Sequence, residues 1–226
     1  MHPEICKGLN GKCEGMKAFI FAAGTFFGLR EGPAAGDLII AADAGYLNCR
    51  AAGLMPQILV GDFDSMDQPE TMADVVRLPV EKDDTDTMAA VKLALQRGCE
   101  EIHIYGGTGG KRLDHTLYNL HTLLHIRRRG AKGFLHDDDF CWTVIENETL
   151  YLKREVDWGI VSVFPLDAQA EGIDEVGLQY PLDNATLTVA DPIGVSNHFI
   201  EENAHVTVRN GILAIGWERP PLNQKH

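Results

Sequence analysis

Residues 101–129 read EIHIYGGTGGKRLDHTLYNLHTLLHIRRR, and this stretch decides the fold. Glu101–Tyr105 is a short apolar run that stops at two glycines, which predicts a buried strand. Residues 106–110 are glycine-rich and predict a loop. From Leu113 to Arg129 the apolar residues Leu113, Leu117, Leu120, Leu124 and Ile126 recur at helical spacing and predict a buried stripe. Arg127, Arg128 and Arg129 then fall in the last turn, where the helix dipole favours cations, and Gly130 ends the helix. Strand, glycine-rich loop and helix in this order make half of a βαβ unit.

The same rhythm extends upstream and one strand beyond. Lys17–Ala23, Asp37–Ala42, Gln57–Val60, Val75–Val80 and Ala131–His136 read as strands. Ala44–Gly53 and Thr85–Arg97 read as helices, the second stopped by Gly98. The strands are continuously apolar, as parallel strands covered on both faces are. After Cys141 the texture changes to short strands with no long helix: Thr143–Glu146, Glu148–Lys153, Ile160–Pro165, Ala185–Ala190 and Ala204–Arg209. Ile212–Trp217 follows the turn Asn210-Gly211 and reads as a hairpin partner of the strand before it. The expected fold is therefore α/β. A parallel-sheet domain over residues 16–138 precedes a smaller all-β, sandwich-like domain over 139–226, behind a polar extension at 1–15.

Composition narrows the function. The chain has 226 residues, 45% hydrophobic and 23% charged, and a net charge of −13. An acidic chain repels nucleic-acid backbones, so no nucleic-acid partner is expected. Clustered aspartates point instead to a divalent cation. The five cysteines form no CxxC and no zinc spacing, a pattern of reduced thiols in a cytoplasmic protein. No apolar run approaches the roughly 20 residues that cross a bilayer, so no membrane association is expected.

The chemistry-bearing residues sit at strand ends, where open α/β sheets bind ligands. Asp43 ends one strand. Gly61-Asp62-Phe63-Asp64-Ser65 ends the next, and in extended backbone Asp62 and Asp64 point to one side, as two ligands of Mg²⁺ would. Asp84-Thr85-Asp86 opens a helix, with Asp84 or Thr85 as its cap. Gly106–His115 joins strand to helix, and its backbone N–H groups suit phosphate. It lacks the Ser or Thr of a P-loop, because Arg112 follows Lys111. Arg112 offers phosphate a planar fork of donors. Read alone, each of these is also an ordinary turn or cap.

Taken in order, Asp43, GDFDS at 61–65, Asp84-Thr85-Asp86, the glycine-rich R-x-D-H ending in His115, and Ser196-Asn197 resemble the thiamine pyrophosphokinase family. The resemblance runs from about Met16 to Trp217 and includes Gly177–Leu182, GLQYPL. Two departures are plain. Lys111 stands between the glycines and Arg112 where the family has arginine directly, and Met88 stands where bacterial members often carry Glu.

The resemblance implies transfer of diphosphate from ATP to the hydroxyl of thiamine, with Mg²⁺, by a homodimer with sites between subunits. It implies ATP contacts from Asp43, Thr85, Gly109, Gly110, Lys111 and Arg112. Metal ligands would be Asp43, Asp62, Asp64 and Asp86. The catalytic group would be Asp62, Asp64, Arg112 and Asp114, and thiamine would meet Asp114, Ser196 and Asn197. Two other readings keep the same residues: a metal-dependent phosphohydrolase using Asp62 and Asp64, and a sensor that binds without turnover.

Overall fold

The computed structural model describes residues 15–61, 74–77, 84–191 and 193–222. Strand β1 (Lys17–Phe21) shows why the first strands form. Its Ala18 and Ile20 face one side and pack with Ile40, Ile102 and Ile104 under the helices. Its Phe19 and Phe21 face the other and pack with Leu59 and Tyr105. Both faces are covered, so nothing polar interrupts the run.

Beside β1 lie β2 (Leu38–Ala42), β3 (Ile58–Gly61) and β4 (Asp74–Arg77) in order on one side, and β5 (Glu101–Tyr105) and β6 (Lys132–His136) on the other; all of these neighbours pair in parallel. The chain order therefore reverses at β1, which is a topological switch point. Helices α1 (Gly45–Ala51), α2 (Asp86–Gln96) and α3 (Leu113–Arg128) cross between the strands.

Helix α3 differs from its expected stripe. Leu113 and Leu117 are 71% and 54% exposed, and the residues buried from this helix are Asn119, Thr122, Leu123 and Ile126. The packed face is set by the second half of the helix, where Leu123 and Ile126 meet the sheet and Leu120 and Leu124 flank them. The first turns carry the loop outward instead.

The remaining strands are β7 (Phe140–Glu146), β8 (Thr149–Lys153), β9 (Ile160–Pro165), β10 (Gln169–Val176), β11 (Leu182–Thr188), β12 (Asn197–His198), β13 (Asn203–Thr207) and β14 (Ile212–Glu218). The fold is mixed α/β with a second, antiparallel sheet. Among the described residues the large sheet runs β12-β9-β14-β7-β6-β5-β1-β2-β3-β4, and the small one runs β11-β10-β13-β8. The large sheet does not stop at residues 137–139. Strand β7 pairs antiparallel with β6, Leu135 opposite Trp142, and Asp137 N–H donates to Phe140 O at 2.9 Å, so the three aspartates make a turn within one sheet.

The hairpin expected across Asn210-Gly211 does not form. Strand β13 pairs with β8 and β10, whereas β14 pairs with β7 and β9. Gly211 passes the chain between the two sheets, donating its N–H to Asn147 Oδ1 at 2.8 Å. Burial explains the choice. On β13 and its extension Ala204, Val206 and Val208 are buried in alternation, while β14 is buried from Ile212 through Trp217 and must lie between two layers. Val161, Val163, Leu213 and Ile215 of the large sheet meet Ile173, Leu187 and Val206 of the small one in a common core.

Candidate active site

A cavity of about 390 Å³ opens at the carboxyl ends of β1, β2 and β5. Two loops zip together to build its floor. Ala22 N–H donates to Tyr105 O (2.8 Å), Gly24 N–H to Gly106 O (2.7 Å) and Thr25 N–H to Thr108 O (3.0 Å). A side chain at Gly106 would put its Cβ 2.4 Å from Ala22 O, and the residue holds φ at +66°. Only glycine fits that close approach.

Two amides, Asn48 half-buried and Asn119 buried, fix the carbonyls of these loops. Asn48 Nδ2, on α1, donates to Ala22 O (2.7 Å) and Gly24 O (2.9 Å). Asn119 Nδ2, on α3, donates to Gly107 O (2.6 Å). With carbonyls held against the protein, Gly109 and Gly110 carry the chain across the cavity wall at φ +66° and +82°. Neither asparagine is legible in the sequence as a functional residue. Asn119 sits at a helical core position, and its polarity there was the available signal.

Asp43, Thr85, Asp86, Gly109, Gly110, Lys111 and Arg112 all line this cavity. Asp43 follows β2 at φ +47° and donates its N–H to Val60 O at 2.7 Å. Thr85 is the cap of α2, its Oγ1 accepting from Met88 N–H at 3.2 Å. Asp84, in contrast, is held by Lys92 Nζ at 2.6 and 2.8 Å. Asp62 and Asp64 lie outside the described residues. Gly61, which precedes them, backs onto Asp43: a Cβ built at Gly61 would be 3.3 Å from Asp43 Cα.

Arg112 lines the cavity while Asp114 does not. The two are paired, Nε to Oδ1 at 2.9 Å and Nη2 to Oδ2 at 2.5 Å. That contact pulls the Asp114 carboxyl down to about 2. A carboxylate so acidic stays ionised at neutral pH and is a weak proton acceptor.

Ser196 and Asn197 are elsewhere. Strand β12 is at the edge of the large sheet, and β9, β14, β7, β6 and β5 lie between it and β1. At about 4.8 Å per strand spacing, that is roughly 29 Å along the sheet. Ser196 is exposed at φ +62°, its N–H donating to Ser162 Oγ at 3.2 Å. Asn197 is buried, 4% exposed, and its amide is fully engaged. Its Oδ1 accepts from the N–H groups of Tyr180 and His198, each at 2.9 Å. Its Nδ2 donates to Tyr180 O and to Glu175 Oε2, each at 2.9 Å. Of the two residues, only Ser196 faces outward.

A crevice at the switch point of an open α/β sheet, with glycine backbone on its walls and carboxylate and guanidinium groups lining it, defines an α/β protein with a ligand site at the carboxyl ends of its strands. Comparison with known proteins gives the family. Residues 34–135 match the family model described as thiamin pyrophosphokinase, catalytic domain, and residues 147–213 match thiamin pyrophosphokinase, vitamin B1 binding domain. A thiamine pyrophosphokinase of Bacillus subtilis is 28% identical over 182 residues, covering 78% of this chain and 85% of that protein. The crystal structure of a thiamin pyrophosphokinase family protein from Enterococcus faecalis is 30% identical with a TM-score of 0.78, covering 91% of this chain and 100% of that one. A thiamin pyrophosphokinase structure from Geobacillus thermodenitrificans is 26% identical with a TM-score of 0.79, covering 91% and 98%. The chain belongs to the thiamine pyrophosphokinase family, and it is an enzyme of the transferase class.

Proposed function

We propose that this enzyme moves the diphosphate of ATP onto the hydroxyl of thiamine, releasing AMP. The observation that carries the reading is the cavity at β1, which gathers Asp43, Asp86, Arg112 and the glycine loop at the switch point. The thiamine oxygen attacks the β-phosphorus and releases its proton to solvent, while the bond from the bridging oxygen to the β-phosphorus breaks and that oxygen leaves on AMP with the electron pair. Such transfers depend chiefly on positioning and on stabilising charge.

The chain's own groups supply both. Backbone N–H groups of Gly109 and Gly110 meet phosphate oxygens. Arg112 exchanges Asp114 for phosphate, which accepts the same two-pronged contact. Asp114, released, turns its negative charge to the cationic thiazolium. The hard oxygen donors of Asp43 and Asp86 fit Mg²⁺, as Asp62 and Asp64 do by chemistry, and bound Mg²⁺ would neutralise phosphate charge beside an acidic protein.

We further propose a homodimer with shared sites. Residues 16–138 bind ATP and Mg²⁺, and residues 139–226 hold thiamine and the second subunit. The separation of roughly 29 Å within one chain supports this, because thiamine does not bridge it, whereas Ser196 of a second copy needs no such bridge. No helix among the described residues is long and apolar enough to cross a membrane. Cys49, Cys99 and Cys141 are buried and free, in keeping with a cytoplasmic location.

Incubation with ATP, Mg²⁺ and thiamine tests the reaction. Thiamine diphosphate with AMP supports it. Free phosphate without thiamine consumption would indicate a hydrolase, and binding without any product would indicate a sensor.

A further inference from the structure

Glu175 is the least expected residue of the inner core. It lies on β10 at an inward position, in line with Ala170 and Ile173, and it is 1% exposed. Its register partners are Val206 on β13 and Leu182 on β11. Hydrocarbon would fill this place at no electrostatic cost. One carboxyl oxygen, Oε1, is buried with no hydrogen-bond partner among the described residues. Burial pushes the carboxyl up to about 7, opposed by the Asn197 contact. A buried polar group left half satisfied needs a reason.

The reason lies in what the other oxygen does. Oε2 takes one amide hydrogen of Asn197, and the rest of that amide clamps the backbone of Tyr180 on one side and of His198 on the other. The clamp joins two segments that approach from different directions. Tyr180 follows the end of β10, and His198 belongs to β12 and stacks its ring on Trp158 at 5.3 Å. Ser196, next to Asn197 in the chain, is exposed, as are Tyr180 at the clamp and Trp158 against the His198 ring. Without an acceptor inside the core, one amide hydrogen of Asn197 is left unpaired and the clamp rests on its three backbone bonds alone.

We propose that Glu175 is a positioning residue for thiamine: by fixing the Asn197 amide it sets the outward Ser196 and Tyr180 in the geometry that receives the vitamin. This rests on the assignment of the Ser196–Asn197 loop to thiamine. The carboxyl touches no substrate and acts only through Asn197.

Two variants test it. Glu175→Gln keeps one carbonyl oxygen for Asn197, and Glu175→Leu fills the volume and removes the acceptor. Glu175→Met repeats the second change with an unbranched chain, should the leucine variant fail to fold. In the full-length protein, Glu175→Leu should raise the KM for thiamine about tenfold, the worth of one lost hydrogen bond, with the loss falling on KM rather than kcat. The KM for ATP should move less than about twofold, since the ATP cavity is built from other elements. Hydrogen exchange at the Tyr180 and His198 amides should quicken in the same variant. Glu175→Gln should restore both readings. An unchanged thiamine KM in Glu175→Leu, an equal rise for ATP, or a Gln variant as impaired as the Leu variant would each overturn the proposal. If the wild-type protein consumed no thiamine, the assigned reaction would fall. Exchange at Tyr180 and His198 would still decide whether Glu175 holds the loop.

Discussion

Arg112 and Asp114 hold each other by two contacts at the start of α3, with side chains 67% and 63% exposed. Exposed pairs of this kind are weak, because water screens them. The guanidinium is therefore oriented at the lip of the cavity yet free to change partners when phosphate arrives. Arg112→Ala should cut kcat/KM for ATP by about 10²-fold or more, the range for losing a charged donor to a phosphate. Lys111→Ala should cost less, since the lysine is the residue added to the loop. Steady-state kinetics on both variants check the order, and a larger loss at Lys111 would reassign the phosphate contact.

Glu175 ties stability to pH. Its folded carboxyl lies at about 7, above the ordinary 4.5. The folded state thus binds the proton more tightly than the unfolded chain does. The protonated group's full stability is present below about 4.5 and is lost as pH rises through about 7. A displacement of that size corresponds to on the order of 3 kcal/mol. Glu175→Gln should therefore melt higher than wild type at pH 8, with the gap closing toward pH 4.5. Paired melting curves at several pH values measure it. A gap that is flat with pH would show the carboxyl is not buried in this way.

The elements rich in buried apolar residues were the legible ones. Glu101–Tyr105 and Ile160–Pro165 have the bounds the sequence implies, because both faces are covered and even their polar members His103 and Ser162 are buried. Strand β10 escaped notice because Gly172, at φ +66°, shifts the register between Glu171 and Ile173 and breaks the alternation. Leu113 and Leu117 misled because helical spacing reports a possible face, whereas burial depends on where the sheet ends. The cavity residues from Asp43 to Arg112 were found through resemblance and strand-end position together. Asn48, Asn119 and Glu175 were not found, since each acts through hydrogen-bond partners far away in sequence.

Asn119 supports the glycine loop from beneath. Asn119→Ala should leave Gly107 O buried without its donor and cost about 1–3 kcal/mol of stability. The KM for ATP should rise with it, while the KM for thiamine changes little. Denaturant melts and kinetics read the two effects. Unchanged ATP kinetics in a destabilised protein would confine Asn119 to a packing role.

The metal assignment makes a separate demand. Asp62→Asn, Asp64→Asn or Asp86→Asn keeps side-chain shape and removes a hard anionic ligand. Each should lower turnover by about 10²-fold or more, and part of the loss should return at high Mg²⁺. Titration of activity against Mg²⁺ checks this. Wild-type turnover at low Mg²⁺ in all of them would contradict the metal role.

Shared sites predict recovery on mixing. Arg112→Ala and Ser196→Tyr should each be nearly inactive. Unfolded and refolded together, about half the dimers pair one of each, and one of their two sites carries neither change, so roughly a quarter of wild-type activity should return. No recovery in verified mixed dimers would place both residues in one chain's site.

Diphosphate transfer at the cavity where β1, β2 and β5 end is tested by a product count with ATP, Mg²⁺ and thiamine in a single reaction, by chromatography with ³¹P detection. AMP and thiamine diphosphate are expected in equal amounts, both formed more slowly, and by the same factor, in Arg112→Ala. ADP with thiamine monophosphate, or AMP released without thiamine diphosphate, would contradict it.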